Sequence, residues 1–211
     1  MFSQSNKQIE ILDSLTSYNK LDSLKAKLAR KKTIITEYEL VTFLTLSYYP
    51  ELIDTRITFK KARIKTTLNA RPSIYSLLFH SKENRNYIIR INNQLKDSVI
   101  NFNTVPFNAK SGLLGHEFAH ILDYKDKNIF QIINRLLAYS TKTKKATFEK
   151  EIDEITIKKG LGWQLHEWAK FVLLESNAKY KYKKFKKETY LTPNQISNLI
   201  KKELLKLKSV K

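Results

Sequence analysis

The feature that most constrains the fold is the apolar stretch GLLGHEFAHILDY at residues 112–124, which carries two histidines and a glutamate. Its large apolar residues recur at intervals of three and four, which is the spacing of one helix face. His116 and His120 are four residues apart, so a helix places both imidazoles on the same side, one turn apart. The spacing therefore predicts a helix over residues 111–124, supported by Leu113, Leu114, Phe118, Ile121 and Leu122.

The HExxH pattern at residues 116–120 is typical of a catalytic zinc site. Two imidazole nitrogens one turn apart can bind one Zn²⁺ at about 2.0–2.1 Å, and the adjacent carboxylate can take a proton from water at the metal. We therefore predict His116 and His120 as metal ligands and Glu117 as the general base. In a chain with 4 histidines, chance would produce this pattern about 0.005 times. The competing interpretation is a pair of core or surface histidines without a metal.

A catalytic zinc usually needs a third protein ligand, and the sequence offers a second pair of residues at i,i+4 spacing downstream. In FEKEIDEITIKKGLGW, Glu149 and Asp153 fall on one face of a predicted helix, with room for one returning helix before it. We predict Glu149 as the third ligand and Asp153 as the acceptor that orients a ligand histidine. Asp126 is an alternative ligand, and the other acidic residues that compete with Glu149 are Glu151, Glu154 and Glu167.

With GHEFAH followed by Glu149-xxx-Asp153 and preceded by Asn108-Ala109, the chain resembles the gluzincin metallopeptidases, in particular the CAAX prenyl protease and HtpX family. The resemblance covers about residues 105–165. It implies a zincin-like fold, a Zn²⁺ ion bound by the two histidines and Glu149, Glu117 as the base, and a peptide or protein substrate. Members of that family carry transmembrane helices, whereas this sequence has no apolar run near the roughly 18 residues that a membrane span needs.

A peptidase site also needs a group that stabilises the negative charge of the tetrahedral intermediate. The resemblance gives no sure position for this group, and the candidates are His166, Tyr139 and Tyr124. We select His166 as the second catalytic residue, because GWQLHEW places it in a helix just after the predicted ligand helix. The competing interpretation of His166 is a core or surface histidine.

Strands are predicted before the HExxH helix and only helices after it. Alternating patterns predict strands at 54–68, 73–80 and 86–92, the last two as a hairpin, and a further strand at 97–102. Helical spacing predicts helices at 6–30, 37–49, 111–124, 128–140, 146–159, 163–180 and 192–207. We expect an α+β, zincin-like fold with a small mixed sheet before the HExxH helix and a mainly helical C-terminal part. We expect an edge strand within 86–102 to hold the substrate. We also expect two parts in the chain, a helical N-terminal lobe (1–50) and a zincin-like metallopeptidase domain (51–211).

The charge balance points to a second class of partner. Lysine and arginine number 39 against 20 acidic residues, so the net charge is +19 and the surface can attract nucleic acid or an anionic membrane surface. In the segment KYKYKKFKK (179–187), aromatics alternate with lysines as in a base-stacking platform. The alternatives to a zinc peptidase are therefore a basic nucleic-acid-associated protein, including a protease that acts near DNA, and a non-catalytic zinc-binding scaffold.

The sequence has neither a cysteine nor a recognisable signal peptide. The chain has no cysteine, which excludes disulfides, Cys-ligated zinc and thiol catalysis. The first residues, MFSQSNKQIEILDSL, lack the basic start and apolar block of a signal peptide, so a cytoplasmic location is expected.

Overall fold

The computed structural model describes residues 8–94 and 99–209. In this part of the chain the strands are β1 (Lys32–Thr33), β2 (Arg56–Ala62), β3 (Leu68–Pro72) and β4 (Asn86–Asn92). The helices are α1 (Ser14–Tyr18), α2 (Leu21–Leu28), α3 (Glu39–Leu46), α4 (Ile74–Phe79), α5 (Phe107–Lys125), α6 (Ile129–Leu137), α7 (Lys142–Thr156), α8 (Gly162–Lys170), α9 (Tyr180–Thr189) and α10 (Pro193–Ser209). Mixed α+β architecture with a small sheet before the HExxH helix is thus confirmed.

The sheet is mixed, with strand order β1-β2-β4-β3. β2 is parallel to β1 and β4, whereas β3 is antiparallel to β4. Alternate side chains of β2 and β4 are buried, which explains why the period-two pattern predicted these strands; they are Ile57, Phe59, Tyr87, Ile89 and Ile91. β4 is paired on both sides, so it cannot be the substrate-binding edge strand that was predicted within 86–102. The edges are β1 and β3.

The predicted hairpin between 73–80 and 86–92 is also wrong, because residues 74–79 form helix α4. β3 supplies the antiparallel partner of β4 instead, and Pro72 ends it. Ser73 N–H then donates to Asn86 O at 2.8 Å, which holds the start of α4 against the first residue of β4. The predicted strand at 54–68 contains β2 and only the first residue of β3. In the predicted strand at 97–102, residues 97 and 98 lie outside the described residues and 99–102 form no strand.

The helical predictions after residue 106 are largely confirmed. α5, α6, α7 and α10 match the predicted helices within a few residues. Gly160 has a left-handed conformation, with φ of 91°, which interrupts the helical path between α7 and α8. This conformation favours glycine, which explains the residue type at this position. The predicted helix at 163–180 ends early: a π-helical turn at Phe171–Glu175 follows α8, and α9 begins at Tyr180. α9 was not predicted, because its lysine-rich sequence shows little apolar periodicity.

Helix α5 lies at the centre of the molecule and packs against the sheet, α3, α7 and α8. Its contact with α8 is unusually close, since a Cβ added at Gly112 would lie 2.1 Å from the carbonyl oxygen of Gln164. On another side, Tyr49 O–H donates to Gly115 O at 2.6 Å. One continuous hydrophobic core includes Leu46 and Tyr49 from the first 50 residues together with Phe118 of α5.

The predicted N-terminal helix at 6–30 is divided into α1 and α2 at Asn19–Lys20. The segment before α1 is tied to the C-terminal half of the chain, where Gln8 Nε2 donates to Ile157 O at 2.6 Å and Gly162 N–H donates to Gln8 Oε1 at 3.0 Å. None of the helices in the described residues combines the length and apolar character needed to cross a bilayer.

Candidate metal centre

Helix α5 brings His116, Glu117 and His120 together in the interior, and each is only 4% exposed. The helix is 19 residues long, and every residue from Ser111 to Ile121 is buried. α7 runs beside it and contributes Glu149, which is 3% exposed, and Asp153, which is 1% exposed. The four residues of the two predicted i,i+4 pairs thus form one contact cluster, and Glu117 lies beside it on α5.

Three side-chain atoms form a nearly equilateral triangle: His116 Nε2, His120 Nε2 and Glu149 Oε2. The two nitrogens are 3.1 Å apart, and Glu149 Oε2 lies 3.1 Å from His116 Nε2 and 3.3 Å from His120 Nε2. Ligands of a tetrahedral zinc with bonds of about 2.0–2.1 Å are separated by about 3.3–3.4 Å. The donor set and its spacing therefore fit a metal ion, and the three buried residues lie close enough to hold one.

Asp153 fixes the orientation of the His116 ring. Asp153 Oδ1 lies 2.8 Å from His116 Nδ1. Since an ionised carboxylate can only accept, Nδ1 carries the hydrogen and donates it. This leaves the Nε2 lone pair of the neutral ring directed at the triangle, as a metal ligand requires. The second oxygen, Asp153 Oδ2, accepts a hydrogen bond from the backbone N–H of Leu191 at 2.9 Å, so both oxygens of this buried carboxylate are used.

Glu149 is held in a similar way. Tyr139 O–H donates to Glu149 Oε1 at 2.8 Å, which leaves Oε2 for the triangle. Burial by itself would raise the pKa of Glu149, but the two histidines beside it hold this pKa well below the ordinary value. Glu149 is therefore ionised at neutral pH and supplies a negative charge to the centre.

In the metal-free protein, His116 is protonated at neutral pH. Burial alone would lower its pKa, but hydrogen bonds and charges from Asp153 and Glu149 raise the pKa to about 10. With no ion present, the proton on Nε2 takes the place of the metal and faces Glu149. Metal binding must then displace this proton.

Glu117 differs from Glu149 in having no fixed partner. Among residues 8–94 and 99–209, its Oε2 has no hydrogen-bond partner although it is buried. Burial raises the pKa of Glu117, while the neighbouring charges of His116 and His120 lower it. A buried carboxyl group with a raised pKa and an unused oxygen is suited to receiving and returning a proton.

A narrow cavity adjoins the centre. Its polar lining comes from α5, α7 and the end of α9, and includes His116, Glu117, Asp153, Lys186 and Tyr190. Apolar side chains close the remainder, including Leu113, Leu165 and Trp168. The general-base candidate therefore faces a space that a small group can enter.

Of the other predicted site residues, His166 and Asp126 lie outside this cluster, whereas Tyr124 packs against it. His166 contacts the ring of Trp163 at 5.7 Å and Glu167 at 3.5 Å, and it does not line the cavity. The ring of Tyr124 is stacked on His120 at 6.0 Å. Asp126 is exposed at the end of α5. Of the competing acidic residues, Glu151 pairs with Arg135 at 2.7 Å and Glu154 with Lys158 at 3.9 Å, while Glu167 contacts His166.

The segment 179–187 is not an exposed row of aromatic side chains. In α9, Tyr182 is buried, Phe185 is half-buried and Lys186 is buried, whereas Tyr180 is exposed. Sequence reasoning missed Lys186 and Tyr190 as residues of the cavity. The spacing of Tyr182, Lys186 and Tyr190 at intervals of four could have indicated one inward helix face.

Asn108 lies in the first turn of α5, and its side chain has a structural role. Its Oδ1 accepts from Leu12 N–H at 2.8 Å and from Gln164 Nε2 at 3.2 Å. It thereby joins the first turn of α5 to α8 and to the N-terminal segment.

Comparison with protein-family models, with curated proteins and with solved structures finds no match to this chain.

Proposed function

We propose that the protein is a zinc-dependent metallopeptidase that hydrolyses peptide bonds, with Glu117 as the general base. The observation that carries the proposal is the triangle of His116 Nε2, His120 Nε2 and Glu149 Oε2, beside a buried Glu117 without a fixed partner. Three atoms that could bind a metal lie within 3.3 Å of one another here, on residues from two different helices.

Zinc is the ion that this donor set favours. Two imidazoles and one carboxylate are the ligands of a known class of catalytic zinc sites, in which the fourth position stays open. When bound, zinc supplies Lewis acidity, which acidifies water and polarises a carbonyl group. A structural zinc would more often be closed by four protein ligands, and the described residues offer three.

Glu117 would move the proton in this reaction. In the first step its carboxylate takes a proton from the attacking water, and in the second it delivers that proton to the leaving amine. The pKa of Glu117 is raised by burial, which makes its carboxylate a stronger base than an exposed glutamate. Asp153 and Tyr139 would act indirectly, since they hold His116 and Glu149 in position.

The substrate would lie along β3 rather than β4. β3 is the edge strand next to α5, and Leu68 at its start lines the cavity with Glu117. An extended peptide can add to such an edge through backbone hydrogen bonds, which positions a scissile bond without demanding a particular sequence.

The test is Glu117→Gln, which keeps the shape of the side chain and removes its basicity. We expect one equivalent of zinc in both wild type and variant, and a loss of peptide turnover of at least about 100-fold in the variant. The matched control is Glu83→Gln, an exposed glutamate, which should behave as wild type. Peptide-library cleavage and metal analysis give the two readouts.

Three results would contradict parts of the proposal. Full turnover by the Glu117→Gln variant removes Glu117 from the mechanism. Stoichiometric zinc in wild type without cleavage of any peptide favours the non-catalytic zinc-binding scaffold. Unchanged zinc content in a His116→Ala variant would exclude the triangle as the metal site.

A further inference from the structure

Lys186 is a buried cation beside the candidate metal centre. Helix α9 is rich in exposed lysines, but Lys186 is only 9% exposed. Its Nζ lies 3.9 Å from the ring centroid of Tyr190, and 5.7 and 5.8 Å from those of Tyr182 and Trp168. Three aromatic rings thus surround the ammonium group.

Within the described part of the chain, neither a hydrogen bond nor an ion pair reaches this ammonium group. Aromatic faces attract a cation, but they are poor acceptors for its three N–H donors. Burial of a charge without a paired acceptor is unfavourable. Lys32 shows the contrast, because its half-buried Nζ donates to three backbone carbonyls at 2.7, 2.8 and 3.1 Å.

Lys186 lies at the wall of the cavity next to Glu117. Lys186 lines this cavity together with His116, Glu117 and Tyr190, and apolar side chains form most of the remaining wall. A molecule that reaches the candidate metal centre through this space would therefore pass close to a positive charge that Glu117 attracts from beyond ion-pair distance. An anionic group would satisfy the N–H donors that the fold leaves without acceptors.

We propose that Lys186 binds a carboxylate of the substrate in this cavity, and so makes the site selective for peptides that carry a carboxylate close to the scissile bond. The proposal rests on the proposed peptidase function, because it assigns the substrate of that same site. A carboxylate has its full charge before reaction and pairs with the ammonium on binding, whereas a neutral amide leaves the ammonium unpaired. The carboxylate can be the C-terminus of a peptide or an acidic side chain.

The experiment measures binding without turnover. Zinc-loaded protein with Glu117→Gln is titrated by calorimetry with three probes: N-acetyl-leucyl-phenylalanine, its C-terminal amide, and N-acetyl-aspartyl-phenylalanine amide. A lower Kd for the first probe indicates a terminal carboxylate, and a lower Kd for the third indicates an acidic side chain. We expect one of the two carboxylate probes to bind about 10- to 100-fold more tightly than the neutral amide.

Substitutions assign that preference to Lys186. In the Glu117→Gln background, Lys186→Met should reduce the preference to about threefold or less, while Lys186→Arg keeps a measurable part of it. Lys187→Met, an exposed neighbour on the same helix, should leave it unchanged. Zinc content and thermal melting of each variant separate a loss of binding from a loss of structure.

Equal Kd values for all three probes in the parent protein overturn the proposal, whatever the variants do. A preference that persists in Lys186→Met also overturns it, since the metal would then be the anion-binding group. Peptide turnover by wild type is measured separately. A carboxylate preference without any turnover contradicts the peptidase proposal and supports the site at Lys186, whereas turnover without a preference does the opposite.

Discussion

Asp153 Oδ1 lies 2.8 Å from His116 Nδ1, in an interior where Asp153 is 1% exposed and His116 is 4% exposed. This contact decides which nitrogen of the ring is available to a metal. A carboxylate at Nδ1 requires the hydrogen there, so a neutral His116 presents its lone pair at Nε2. The arrangement of the centre therefore depends on a residue that is not itself a ligand.

Asp153→Asn tests this dependence. The amide can still accept the Leu191 N–H through its oxygen, but its NH₂ group would then face Nδ1 and favour the tautomer with hydrogen on Nε2. We expect zinc affinity to fall about 10- to 100-fold, as measured by competition with a chelator. Asp54→Asn, at an exposed position, is the control. Equal zinc affinity in wild type and Asp153→Asn would mean that the ring is oriented by other contacts.

Tyr139→Phe removes the hydrogen bond to Glu149 Oε1 and keeps the ring. Because Tyr139 is 39% exposed, the variant should fold normally. We expect zinc affinity to fall about 10-fold, since Glu149 loses the donor that directs Oε2 into the triangle. Tyr180→Phe, which is 79% exposed, should bind zinc as wild type does. A fall in turnover with unchanged zinc affinity would instead indicate contact between Tyr139 and the substrate.

The pH dependence of zinc binding follows from His116. Its pKa is raised to about 10 in the metal-free protein, so zinc must displace a proton at every pH below this value. We expect affinity to rise about tenfold per pH unit between pH 7 and 9. Calorimetry in buffers of different ionisation enthalpy should detect at least one released proton. An affinity that does not change over this range would show that His116 is already neutral.

The same pKa shift predicts how the stability of the metal-free protein depends on pH. The pKa of His116 is higher in the folded state than the ordinary 6.5, so its contribution to stability is complete below about pH 6.5 and is lost as pH rises toward 10. Metal-free protein should therefore melt at progressively lower temperature above neutral pH. The zinc-loaded protein, in which Nε2 carries no proton, should not show this contribution.

Gly112→Ala tests the close contact between α5 and α8. An added Cβ would lie 2.1 Å from Gln164 O, a backbone atom that can move only if the whole helix moves. We expect the free energy of unfolding to fall by about 1–3 kcal/mol or more, as measured by urea denaturation. Lys202→Ala, at an exposed helical position, is the control. Wild-type stability in Gly112→Ala would show that α8 shifts without cost.

The cluster of His116, His120, Glu149 and Asp153 was predictable because its residues form i,i+4 pairs on two helices. The i,i+4 spacings of His116 with His120 and of Glu149 with Asp153 are properties of a single helix, and helix periodicity is visible in sequence. The contact between the two helices brought the pairs together as expected. Tyr139 was named for another role, since its hydrogen bond to Glu149 depends on how the turn after α6 packs.

The errors have a common physical origin in tertiary pairing. The apolar residues of 73–80 suit either a strand or a short helix. They form a helix because β3, and not this segment, pairs with β4. Likewise, the lysine-rich segment of α9 has weak apolar periodicity, and only three of its positions are buried: Tyr182, Lys186 and Thr189. Such a helix is stabilised by its contacts with α7 rather than by its own pattern.

Through Asp153, the hydrogen bond from Leu191 N–H to Asp153 Oδ2 connects the junction of α9 and α10 to the Nδ1 proton of His116. A displacement of this junction by less than the length of one bond would weaken the acceptor at His116 Nδ1 and shift Lys186, five residues earlier, at the same time. We therefore expect a truncation of α10, or a protein bound to it, to change how tightly a metal ion is held.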